Sequence, residues 1–372
     1  GLVGFISYDA IRLIENIPDN NPDIHHCPDM LFRSYTNNIT FDHQTNKIVI
    51  TTVADINDNV EQSYQQAIKR INKIIDHISQ QPVNTKQKYF NTTPSQASIQ
   101  VDIDDQHYCK MVNEAKENIK QGEIFQVVLS RQFNINTTAN AFDIYRALRF
   151  SNPSPYMFYI EADDYSITGA SPEKLISIKN NTIESCPLAG TRARGRHNDD
   201  VLIDELLHNE KEIAEHMMLV DLARNDLGKV TTPGSVAITK LKQIEKYSRV
   251  MHISSTIQAQ LKPNVDVFDA IKASFTAGPL SGAPKIRAME LIDQLETSKR
   301  GIYGGAVCGI DSEGNLDSCI IIRTALIKDG VASVRAGAGI VYDSNPQSEA
   351  DETRHKAQAI LDGIQLAEGA VA

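Results

Sequence analysis

The sequence predicts an α+β fold: a two-layer body of mainly antiparallel sheets with outer helices. Three observations carry that expectation. Apolar runs of strand length adjoin one another in hairpin order too often for a doubly wound parallel sheet. Segments with helical spacing are scattered irregularly instead of alternating one per strand. At 372 residues, 41% of them apolar, the chain exceeds one typical domain and can bury a sizeable core.

The chain opens on Gly1-Leu2-Val3-Gly4-Phe5-Ile6 without an initiating Met, so it is expected to begin inside a strand, with natural sequence upstream. Residues 31–53 predict two strands around the turn Asp42-His43-Gln44-Thr45-Asn46. Residues 57–79 space Ile68, Ile71, Ile74 and Ile75 on one helical face. Between 80 and 100, Pro, Asn, Thr, Ser and Gln dominate, which marks a connector between a front region, 1–100, and a catalytic body, 101–372.

In the body, 108–121 reads as a helix and 123–133 as a strand, through Ile124-Phe125-Gln126-Val127-Val128-Leu129. Further strands are expected at 156–161, 175–179, 303–310, 317–328 and 330–336. Helices are expected at 204–226, 267–274, 285–295 and 348–366. No internal repeat or heptad register is visible.

Forty-seven acidic against 37 basic residues give a formal charge of −10, which disfavours nucleic acid and anionic membranes as partners. No apolar run approaches the length of a bilayer and no charged-then-apolar leader is present, so a soluble, cytoplasmic protein is expected. Cys27, Cys109, Cys186, Cys308 and Cys319 lack metal-type spacing and form no disulfide framework; buried free thiols are expected.

The most informative segment is Glu210-Lys211-Glu212-Ile213-Ala214-Glu215-His216-Met217-Met218-Leu219-Val220. Three residues apart on a helix, Glu212 and Glu215 share a face and can serve one hard cation, or form a solvated acidic face. A second pair, Glu349 and Glu352, lies in Ser348-Glu349-Ala350-Asp351-Glu352-Thr353. There Ser348 can cap, first-turn acids suit the helix dipole, and Glu352 can pair with Lys356. Two such helices facing across a cleft can hold one Mg²⁺ and leave water positions for a substrate carboxylate.

Val334-Arg335-Ala336-Gly337-Ala338-Gly339-Ile340 is a strand whose glycines let backbone N–H groups approach a carboxylate, or mark a bulge. In Pro187-Leu188-Ala189-Gly190-Thr191-Arg192-Ala193-Arg194, Gly190 and Thr191 can donate to an anion, or sit in a basic surface turn. Arg323, inside the apolar run Cys319-Ile320-Ile321-Ile322-Arg323-Thr324-Ala325-Leu326, needs an anionic partner, either a ligand carboxylate or an internal acid. His252 in Val250-Met251-His252-Ile253 is an acid–base candidate near neutral pH or a structural histidine.

Together PLAGTRARG, EIAEHMMLVDLARND, SRVMH, SGAPKIRAMELI, YGGAV, IIIRTA and AGAGIVYDSNPQSEADET resemble the chorismate-utilising enzymes, and among them the anthranilate synthase component I family. The likeness runs from about Ile103 onward and is weaker before it. The resemblance implies the component I fold and a lyase that converts chorismate and ammonia to anthranilate and pyruvate in tryptophan biosynthesis. It implies Mg²⁺ on Glu215 and Glu352, with Glu212 and Glu349 as close or water-mediated ligands. It places Gly190, Thr191, Gly337, Ala338 and Gly339 at the ring carboxylate, Tyr303 and Arg323 at the enolpyruvyl carboxylate, and His252 beside the departing hydroxyl.

Gln126 stands where water-adding relatives carry a lysine base, which favours ammonia as the nucleophile. Ala189 stands where many aminodeoxychorismate synthases carry a nucleophilic lysine. Ammonia is expected from a glutamine amidotransferase subunit. Pro155, Tyr156 and Met157 resemble part of a tryptophan feedback site whose Leu-Leu-Glu-Ser half the family places upstream of Gly1, so feedback inhibition is not assured. Pro279 replaces a usual Thr, with loss of a hydroxyl and an N–H. The alternatives are aminodeoxychorismate synthase component I and a truncated, non-catalytic chain that binds a ligand or partner.

Overall fold

Every strand pairing among the described residues is antiparallel, and the helices lie outside two large sheets. The computed structural model describes residues 1–56, 59–80, 89–90, 98–195, 198–247 and 250–371. Most of the connector expected at 80–100 therefore lies outside the described residues.

The helices are α1 (Val60–Gln80), α2 (Asp105–Lys120), α3 (Ala141–Ser151), α4 (Asp199–His208), α5 (Glu210–Val230), α6 (Val267–Ser274), α7 (Lys285–Leu295) and α8 (Pro346–Glu368). The nine-stranded sheet is built on Val250–Gln260. That strand pairs on one side with Ala237–Lys246 and on the other with Leu188–Ala193 and Thr182–Ser185. The sheet continues through Lys174–Lys179, Leu316–Ile320, Ala306–Ile310, Leu2–Ile6 and Met30–Ser34, so the front of the chain supplies its far edge.

The seven-stranded sheet centres on Gln126–Asn136 and Val331–Ile340, paired over ten residues, with Gly282–Ala283, Ile99–Val101, Thr324–Lys328, Tyr165–Ser171 and Tyr156–Glu161 around them. Gln126–Asn136 is buried over most of its length because it is covered on both faces, as its unbroken apolar run at 127–129 requires. Phe133, Val334 and Ala336 pack under Ile360, Leu361 and Ile364 of α8 and Leu148 of α3. Phe5, Ile167 and Leu326 fill the space between the two sheets, where the Phe5 and Tyr165 rings meet edge to face at 6.5 Å.

Three expected elements are corrected. The helix expected over 204–226 is two, because Asn209 leaves helical geometry and its side chain accepts the Glu212 N–H at 3.1 Å to start α5. The strand expected over 317–328 is broken at Arg323, whose φ of 52° is left-handed. Leu316–Ile320 belongs to one sheet and Thr324–Lys328 to the other, so Arg323 sits where the chain crosses between them. The strand expected from Tyr303 starts at Ala306, after a turn at Gly301 and Gly304, both at positive φ. All five cysteines are free; Cys308 and Cys319 are buried, whereas Cys27, Cys109 and Cys186 are only half-buried.

Candidate active site

The two acidic helices face each other. Asn209 fixes the start of α5 so that Glu212 and Glu215 lie one turn in, while Asn345 caps α8 and sets Glu349 and Glu352 in its first two turns. Glu215 holds its proton more tightly than an ordinary glutamate, first through burial, then through the charges of Glu212 and of Glu352 from the other helix. Glu349 is shifted the same way by burial and by Glu352.

Lys356, one turn beyond Glu352, is the cation between them. Its Nζ lies 2.6 Å from Glu352 Oε1 and donates to the Gly337 carbonyl at 3.0 Å. Among the described residues no group of three or more His, Cys, Asp or Glu side chains is close enough to hold a metal ion. Arg192 draws Glu212 aside at 3.2 Å, and Lys356 holds Glu352. Magnesium keeps several of its waters and needs only one or two carboxylates, so these hard oxygen donors suit it.

The strand Leu188–Ala193 passes beneath Glu212. Gly190, at φ 63°, has no room for a side chain: a Cβ would stand 2.8 Å from Leu206 and 3.1 Å from Glu212 Oε2. Across the pair, His252 Nδ1 lies 3.0 Å from Thr191 Oγ1 and 3.1 Å from the Gly190 carbonyl. A carbonyl can only accept, so Nδ1 carries the hydrogen and Nε2 is the ring's acceptor. Burial, reinforced by the charge of Arg323, lowers the His252 pKa and favours the neutral ring.

On the opposite wall, Gly337 and Gly339 leave their face of Val331–Ile340 bare while Ala338 points into the core. A Cβ on Gly337 would meet the Leu129 carbonyl at 2.7 Å and the Tyr303 hydroxyl at 2.9 Å; one on Gly339 would meet Gln126 Nε2 at 2.6 Å. Gly337→Ala is therefore expected to cost roughly 1–3 kcal/mol of stability, read by urea denaturation, because the carbonyl it strikes is backbone and cannot swing away. Arg323 is half-buried and donates to the Lys356 carbonyl, with Tyr303 and Glu352 as its electrostatic neighbours. Of its two expected partners the internal acid is not bonded: among the described residues Arg323 forms no salt bridge, Glu352 acts on it only through charge, and its guanidinium bonds a backbone carbonyl.

One group was missed from sequence. Glu173 is buried between Tyr165–Ser171 and Lys174–Lys179, and burial pushes its pKa up to about 8, only partly offset by Lys356 and by the Leu188 N–H. Burial therefore favours its uncharged, protonated form, next to the strand that carries Gly190 and Thr191. The signal was an acid at the junction of two apolar strands, Ser171-Pro172-Glu173-Lys174. Lys356 was read only as a partner for Glu352.

Pro155, Tyr156 and Met157 lie elsewhere. Tyr156 starts the strand at the edge of the smaller sheet and donates from its hydroxyl to Asp317 Oδ1 at 3.1 Å, bridging to the larger one. It lines an open cavity of about 670 Å³ with Val3, Tyr35 and Lys174. Pro279 forms a short 3₁₀ turn at Gly278–Leu280 against Leu219 and Leu222 of α5. No helix among the described residues is long and apolar enough to cross a membrane.

Residues 1–362 match the family described as chorismate binding enzyme. Anthranilate synthase component 1 of Acetivibrio thermocellus is 46% identical over 372 residues, spanning 99% of this chain and 75% of that protein. The Aquifex aeolicus protein of the same name is 41% identical, over 99% of this chain and 75% of its own. The crystal structure of anthranilate synthase component I from Streptococcus pneumoniae superposes with a TM-score of 0.88 at 40% identity, covering 97% of this chain and 80% of that one.

Proposed function

The chain belongs to the chorismate-binding enzymes, and on that premise we propose that it converts chorismate and ammonia to anthranilate, pyruvate and water as a component 1 lyase. The observation that carries this reading is the convergence of Glu215, Glu352 and Lys356 beside Glu173, which burial inclines to keep its proton, and His252, whose ring burial inclines to stay neutral. That is a site for an anionic ring that must lose a hydroxyl.

The ring carboxylate is received by the Gly190–Thr191 backbone and the bare face at Gly337 and Gly339. Arg323 and Tyr303 take the enolpyruvyl carboxylate, as the planar fork of a guanidinium suits a bidentate anion. Glu173 supplies the proton that lets the C4 hydroxyl leave as water, and His252 Nε2 orients that hydroxyl by accepting its hydrogen bond. Gln126, a neutral amide, removes no proton from water and leaves C2 open to ammonia. Loss of the C2 proton with the enolpyruvyl group then yields the aromatic ring and pyruvate.

Glu215 and Glu352, with Glu212 and Glu349 close by or through water, would hold Mg²⁺. The ion would neutralise the acids and draw electron density toward the ring carboxylate. Ammonia would come from a glutamine amidotransferase partner. The cavity at Tyr156 would be the remnant or the whole of a tryptophan feedback site, with Pro155 and Met157 beside it.

Incubation with chorismate, Mg²⁺ and ammonium is expected to give anthranilate fluorescence and stoichiometric pyruvate. An amino product that retains the enolpyruvyl group, seen by mass spectrometry, would instead identify an aminodeoxychorismate synthase. Chorismate binding without any product would identify a non-catalytic chain.

A further inference from the structure

Directly behind the Tyr303–Gly337 wall lies a buried ion cluster that none of the steps above uses. Glu296, the residue that closes α7, is enclosed, as are Arg300 and Arg335. Glu296 Oε1 accepts the Ser130 N–H at 2.8 Å, the Ser130 hydroxyl at 2.9 Å and Arg300 Nη2 at 2.5 Å; Oε2 accepts Arg335 Nη1 at 3.0 Å. Arg300 also donates to the carbonyls of Leu280 and Val128, each at 2.6 Å, and its guanidinium lies 5.7 Å from the centre of the Tyr303 ring. Arg335 donates to Ser298 Oγ at 2.5 Å and stands 3.7 Å from Asp102, while its Nε has no partner among the described residues.

Two features tie this cluster to the pocket. Ser130, which Glu296 grips twice, is the cross-strand partner of Gly337, and the Tyr303 hydroxyl sits against Gly337. The cluster also carries more positive than negative charge: two guanidinium groups meet one glutamate, and burial inclines Asp102 toward its neutral form. Two buried guanidinium ions are costly to desolvate, and apolar side chains would hold the same elements together at least as well. An excess of positive charge one ring behind an anion site is useful only if the anion feels it.

We propose that Arg300, clamped by Glu296, which Arg335 holds from its other oxygen, is a positioning residue that fixes Tyr303 against Gly337 and lends positive potential to the carboxylate bound there. This rests on the reading of Tyr303 and Gly337 as substrate contacts. Arg300 touches no reacting atom, so its effect should appear in binding.

The test compares the full chain with Arg300→Lys, Tyr303→Phe and the double variant. Lysine keeps the charge but loses the planar fork that satisfies Glu296, Leu280 and Val128 at once. Arg300→Lys is expected to raise KM for chorismate about tenfold, with Kd by calorimetry rising in parallel and kcat changing less than about threefold. The double variant is expected to be no weaker than the worse single one, since both act through one ring. Unchanged KM and Kd in folded Arg300→Lys, or fully additive losses, would overturn the proposal.

If Arg300→Lys does not fold, Ser298→Ala, which removes only the acceptor of Arg335, is read the same way: a rise in Kd of about threefold supports the proposal and no change overturns it. A wild-type chain that binds chorismate without turnover overturns the proposed reaction, while the Kd comparison still decides the role of Arg300. A chain that binds no chorismate overturns both.

Discussion

Glu173→Gln is expected to lower turnover by about 10²–10⁴-fold while the protein stays folded, because it removes a buried carboxyl whose desolvation retains a transferable proton. The amide has the shape of the protonated acid and can still accept from the Leu188 N–H, so packing is preserved. In the parent protein the acid form is the active one, and kcat should fall as the pH rises through about 8.

Stability carries the same signature. In the unfolded chain Glu173 ionises near its ordinary 4.5, whereas in the fold it keeps its proton to about 8. Between those values the native state binds the extra proton, so this residue's contribution makes the protein less stable as the pH rises, with no further decline above about 8. Glu173→Gln should abolish that decline. Urea denaturation at pH 5, 6.5 and 8 together with a kcat–pH profile reads both effects; wild-type turnover in the variant would remove Glu173 from the chemistry.

Glu215→Ala and Glu352→Ala are each expected to reduce Mg²⁺-dependent activity by at least about 10²-fold with little loss of stability. Glu215 is half-buried among like charges, so its removal relieves repulsion from Glu212 and Glu352. Loss of Glu352 frees Lys356, whose ammonium can then be taken by the neighbouring acids. Chelation of the wild-type protein should stop turnover, and Mg²⁺ should restore it and raise the melting temperature; the two variants should show neither response. Retention by both variants of a wild-type Mg²⁺ titration would mean that the ion, if used, sits elsewhere.

Much of the site was legible because its parts are locally encoded. Glu212 with Glu215, and Glu349 with Glu352, share helical faces by spacing alone. Gly337 and Gly339 announce a bare strand face by having no side chains, and α6 and α7 begin and end where the apolar periodicity does. The breaks were less visible. Asn209 lies inside a pattern that reads as a continuous helix, and Arg323 inside one that reads as a continuous strand, because periodicity reports which residues are apolar and not where the chain changes sheets.

The residues that sequence reasoning passed over share one property: their chemistry comes from neighbours far along the chain. Glu173 is an unremarkable acid until the fold takes it out of water, and Lys356 is an ordinary helix pair for Glu352 until Gly337 and Glu215 arrive. Arg300 and Glu296 look like an exposed i,i+4 pair in sequence, yet both side chains are 1% exposed.

By itself the sequence determined the class of fold, the identity of the acids and glycines, and the family they belong to, since spacing and residue type are properties of the chain. Only the tertiary structure decided that the two acidic helices face one another, that Arg323 sits at the crossing between sheets, and which acid keeps its proton. Proton affinity depends on desolvation and on charges within a few ångströms, and those are set by residues brought together from opposite ends of the chain.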